Sequence, residues 1–63
     1  MKEYKLPKVI QAMANVLQKN GTKKAEVNRL VAKYLAMYNN DQKATRRFLR
    51  TIKDVHAAEQ SVN

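Results

Sequence analysis

The chain has 63 residues, with 13 Lys or Arg against five Asp or Glu, a formal net charge of +8, one His, no Cys and no Trp. That length allows a single domain which buries only about 60% of the surface its unfolded form exposes, and the lack of Cys excludes disulfides and Cys-ligated zinc. No apolar run approaches the ~18–20 residues of a membrane span, and the start, MKEYKLPK, has no signal-peptide apolar stretch, so a soluble cytoplasmic protein is expected.

One Gly and one Pro are too few for an all-β fold, which needs turn residues every 8–12 positions or so. An all-α domain covering 1–63 is expected, with helices near 7–19, 23–38 and 42–58 and a frayed tail at 60–63. Pro7 suits the first turn of a helix. Asn20 and Gly21 suit a left-handed stop, with Thr22 capping the next helix. Asn39, Asn40 and Asp41 can end the second helix and cap the third.

At about 100° per residue the first segment gathers Leu6, Val9, Ile10, Met13, Val16 and Leu17 on one arc. Lys8, Gln11, Asn15, Gln18 and Lys19 fall opposite. In the second segment Val27, Leu30, Val31, Tyr34, Leu35 and Tyr38 share a face. Ala25, Ala32 and Ala36 line the far side beside Arg29 and Lys33. That Ala row either admits a further helix, which would make this the central one, or is ordinary surface helix composition. A core this small rarely supplies more than roughly 3–5 kcal/mol. A homodimeric helical bundle is therefore expected, with Leu30, Tyr34, Leu35, Met37 and Tyr38 at its interface.

The third segment carries the functional signal. Lys43, Arg46, Arg47, Arg50 and Lys53 occupy an arc of about 120°, opposite Ala44, Phe48, Leu49, Ile52 and Val55. Asp54 falls one turn beyond Arg50 and is expected to blunt the stripe at that end. A solvated face normally mixes signs at i,i+4 spacing. This one does not, and every third of the chain is net positive. Such a surface seeks polyanions through counterion release. Arg adds a planar fork that binds phosphate or a guanine edge. The aromatic residues Phe48, Tyr34 and Tyr38 fall on apolar faces and read as core, which favours duplex DNA over RNA. Lys23, Lys24 and Arg29 are expected as secondary phosphate contacts, with Gln42, Thr45 and Thr51 flanking the stripe.

Catalysis is not expected. Ser occurs only at Ser61, His56 has no clear acidic partner beyond Glu59 one turn on, and Gly21 stands alone rather than in a phosphate-cradling loop. His56 falls at the edge of the apolar stripe, where a half-buried ring is expected. No cofactor, metal or small-molecule substrate is implied.

The run Tyr4, Lys5, Leu6, Pro7, followed by a helix, Gly21, Thr22 and the segment Lys23 to Val31, resembles the layout of ribbon-helix-helix repressors and antitoxins. The resemblance covers residues 2–38 and implies an intertwined dimer reading the major groove with paired strands. A third basic helix lies outside that minimal pattern. A helix-turn-helix arrangement is also compatible, with the third helix as recognition element after Asn39, Asn40 and Asp41. The expected function is that of a small DNA-binding regulator or DNA-maintenance factor, nucleoid-associated and of phage, plasmid or bacterial type. The alternative is an interaction module for an acidic protein surface.

Overall fold

The computed structural model describes residues 6–61, which form four helices: α1 Lys8–Lys19, α2 Lys24–Asn40, α3 Gln42–Arg50 and α4 Lys53–Ser61. No strand occurs among the described residues. The strand implied by the ribbon-helix-helix layout falls on 2–6 and, except for Leu6, lies outside them. Of the expected frayed tail, Gln60 and Ser61 continue α4, and 62–63 lie outside the described residues.

α1 and α3 each touch the other three helices, α2 and α4 do not touch each other, and α1 is central in supplying most of the buried residues. Its buried positions explain this. Val9, Ile10, Ala12, Met13 and Ala14 are all buried, with Val16 and Leu17 packed beside them. Together they span roughly 200° of the helix perimeter. Ala12 and Ala14 are the small flanks that let neighbouring backbones come close. The two-sided packing considered for the second helix therefore belongs to the first, and Ala25, Ala32 and Ala36 are exposed. α1 ends as expected: Gly21 adopts φ 85°, its N–H donates to the Gln18 carbonyl, and the Thr22 N–H donates to the Leu17 carbonyl at 2.9 Å. This is a Schellman stop. Thr22 does not cap α2, whose N-cap position is Lys23 with no side-chain cap bond.

The expected third helix, 42–58, is two helices. Asp41 caps α3 as anticipated, its carboxylate accepting from the Ala44 N–H at 3.0 Å. Ten residues later the ladder tightens. The Thr51 N–H donates to Phe48 O and the Ile52 N–H to Leu49 O, both three residues back instead of four. The Thr51 hydroxyl also donates to the Phe48 carbonyl at 2.6 Å. That carbonyl is thereby claimed by Thr51 and not by Ile52, the local competition through which Thr bends helices. The bend lets both Leu49, fully buried, and Val55, 2% exposed, enter the core. On one continuous helix those positions would point about 120° apart. Ile52 and Phe48, expected on the buried stripe, are instead 43% and 48% exposed, and Ala44 is exposed as well.

Leu30, Val31, Tyr34, Leu35 and Tyr38 of α2 are half-buried against the core of their own chain. Among the five residues expected at a dimer interface only Met37, 39% exposed, does not pack against that core. The Cα radius of gyration is 11.2 Å, close to the roughly 10.6 Å of a compact single domain of this length.

Leu49→Ala removes the residue joining α3 to α1. A cost of about 2–5 kcal/mol is expected against a total of roughly 3–5, so circular dichroism at 25 °C should show a largely unfolded chain. Asp41→Ala should cost about 1 kcal/mol through the lost cap, measured as a lower urea midpoint with unchanged slope.

Candidate nucleic-acid interface

α3 contains four basic residues in nine and no acid. With Leu49 and Thr45 turned inward, Lys43, Arg46, Arg47 and Arg50 are left on the outward side, and with Thr51 they line an open, shallow concavity of about 490 Å³. Thr45 is not a flanking contact. It is 1% exposed, and its hydroxyl donates to the Asp41 carbonyl at 2.9 Å.

The four cations are not equivalent. Arg50 makes a bidentate pair with Glu59 of α4, Nε to Oε1 at 2.8 Å and Nη2 to Oε2 at 2.9 Å. The Glu59 side chain is only 13% exposed and that of Arg50 46%. Arg46 donates from Nη2 to the Tyr38 hydroxyl at 2.8 Å, and its guanidinium carbon lies 5.4 Å from the Tyr38 ring centroid. It is held in place by a neutral partner and has no direct carboxylate partner, though its charge is felt at Glu59. Lys43 and Arg47 have no hydrogen bond or ion pair among the described residues.

The bend decides which acid neutralises the stripe. On an unbroken helix positions 50 and 59 lie on opposite faces, whereas folding α4 back brings Glu59 to Arg50. Asp54, expected to blunt the stripe, instead lines a groove of about 480 Å³ against the end of α1, with Asn15, Val16, Lys19, Asn20, Ala57, Ala58 and Ser61. The hydrogen bonds from Arg50 hold the Glu59 carboxyl below its ordinary range, aided by the nearby charges of Arg50, His56 and Arg46 and opposed by partial burial. The same bonds raise the Arg50 guanidinium. His56 is exposed, not half-buried at a core edge.

The remaining expected contacts lie elsewhere. Lys53 opens α4 beyond the bend and does not line the concavity. Lys23 and Lys24 sit at the start of α2, about 24 Å along its axis from Asn40 at 1.5 Å per residue. Arg29 is paired one turn away with Glu26, Nε to Oε1 at 3.0 Å, which lowers the Glu26 carboxyl by hydrogen bonding. Sequence reasoning missed Glu59 and Tyr38 as partners of the arginines. The nine- and eight-residue separations signal nothing without knowledge of the bend and the α2–α3 turn.

No group of three His, Cys, Asp or Glu able to hold a metal occurs among the described residues, and no helix there is long and apolar enough to cross a membrane. No protein-family model, curated protein or solved structure matches the chain.

Because Glu59 titrates below an ordinary carboxylate when folded, its pairing contributes fully above the usual carboxylate range and is lost as pH falls through the depressed value. Glu59→Gln should therefore flatten the acid side of the stability–pH curve. It should also raise affinity for a polyanion such as heparin several-fold at pH 7, because Arg50 gains a free fork. Equal heparin retention by the two proteins at matched salt would contradict the second expectation.

Proposed function

We propose that the chain is a small DNA-binding protein, a regulator or maintenance factor, that grips phosphates with the outward face of α3. The observation that carries this reading is the concavity lined by Lys43, Arg46, Arg47 and Arg50, of which only Arg50 has a carboxylate partner. A chain of net charge +8 adds a uniform attraction to any polyanion. Arg47 and Lys43 contact first, Arg46 supplies a fork already oriented by Tyr38, and Arg50 joins when phosphate competes with Glu59. Lys23, Lys24 and Arg29 belong to another part of the surface and act as non-specific contacts for a longer ligand. Four of the five apolar residues expected at a dimer interface are half-buried in the single chain, and light scattering on the free chain tests whether a second copy covers what is left.

Three to four phosphate contacts predict a slope of log K against log salt of about −2.7 to −3.6, and so a loss of about 40- to 150-fold between 50 and 200 mM salt. Anisotropy of a labelled 15-base-pair duplex measures it. Arg47→Ala should weaken binding and reduce the slope by about 1 without lowering stability. A salt-insensitive complex would favour an apolar protein interface instead, and no change on Arg47→Ala would remove α3 as the contact.

A further inference from the structure

The apolar surface that the bend leaves in water adjoins the basic face. Phe48 is 48% exposed and stacks on Tyr34 with ring centroids 6.0 Å apart and planes 20° from parallel. Lys33 Nζ lies 5.7 Å from the Tyr34 centroid, placing a cation at the same aromatic pair. Around α3, the residues between Arg47 and Phe48 are Ala44 and Thr51, both small. No large side chain of α3 itself therefore separates the cationic concavity from the ring. The arc between Arg47 and Phe48 is roughly 9 Å of helix surface, which a nucleotide and an extended Arg47 side chain span together.

We infer that Phe48, backed by Tyr34, is a stacking platform for an unpaired base, so that the α3 face takes single-stranded DNA with phosphates on Arg47 and Lys43. This rests on the phosphate-gripping role of α3 proposed above and names its substrate class. It also reverses the preference for duplex drawn from sequence, which took Phe48 together with Tyr34 and Tyr38 as core; of the three, Phe48 is the exposed one. Aromatic–base stacking needs one accessible ring face beside cations, with no further hydrogen-bond readout. A second copy fits the patch poorly. Met37, Phe48 and Ile52 are the exposed large apolar residues among those described, far short of the ~800 Å² each partner contributes to a stable interface, and each copy carries +8.

The test uses the full chain with four labelled probes: a dT15 strand, an abasic strand of 15 phosphates, a 15-base-pair duplex and poly-glutamate. The inference expects dT15 to bind more tightly than the abasic strand. Phe48→Ala should weaken dT15 about tenfold while leaving the abasic strand and duplex unchanged. Phe48→Trp places the chain's one Trp on the platform and tests it without removing the ring. Its fluorescence should be quenched by dT15 and not by the abasic strand. Equal binding of dT15 and abasic strand with no quenching overturns the inference while leaving the phosphate-gripping reading intact. Failure of every nucleic-acid probe to bind the unmodified chain overturns both. An equal loss of dT15 and poly-glutamate on Phe48→Ala, with the circular dichroism spectrum unchanged, assigns the patch to an acidic polypeptide and overturns the inference.

Discussion

The interruption at Thr51 and Ile52 is the constraint on which the arrangement of this molecule depends. A carbonyl accepts a limited number of hydrogen bonds, and that of Phe48 takes both the N–H and the hydroxyl of Thr51. The helix ladder does not continue in α-helical register past that point, and α4 starts anew at Lys53 and runs back against α1. Three consequences follow from this one local competition. Leu49 and Val55 share a core, Phe48 and Ile52 come out into water, and Glu59 reaches Arg50.

Those consequences set the electrostatic character of the α3 face. Had the helix continued, Asp54 would have followed Arg50 one turn on and softened the stripe at a distance. The bend substitutes a direct, two-point pair with a carboxylate that is mostly shielded from solvent. The stripe is thus graded. Lys43 and Arg47 stand open, Arg46 is oriented by a tyrosine without losing charge, and Arg50 is occupied by a group with the fork-compatible geometry of a phosphate edge. A ligand phosphate has to compete for that last position but not for the first three. In the proposed function, binding of a polyanion and the hold of α4 on α3 are linked through one guanidinium.

Much of this was readable beforehand, and where it was not the cause is specific. The amphipathic arc of α1, the Gly21 stop, the Asp41 cap and the outward cations of α3 follow from short-range rules, and each is where spacing and side-chain chemistry put it. The break was hidden because a Thr followed by Ile is compatible with an uninterrupted helix, and the apolar residues Phe48, Ile52 and Val55 mimic one continuous stripe. Thr45 was misassigned for a related reason. A hydroxyl that bonds a carbonyl four residues back can be buried without cost to its hydrogen bonding, which polarity alone does not reveal.

The sequence alone determined the helical class, the boundaries of α1 and α2 to within two residues, and a run of cations without an acid from Lys43 to Lys53, since backbone propensity, capping and charge are properties of local runs. Tertiary structure decided which helix is central, which apolar residues are left over, and which cation is neutralised by which acid. These are questions about residues eight or more positions apart, such as Tyr38 with Arg46 and Arg50 with Glu59. Their answer depends on the directions in which the chain turns at Asp41 and at Thr51, and no periodicity on either side of a turn encodes its direction.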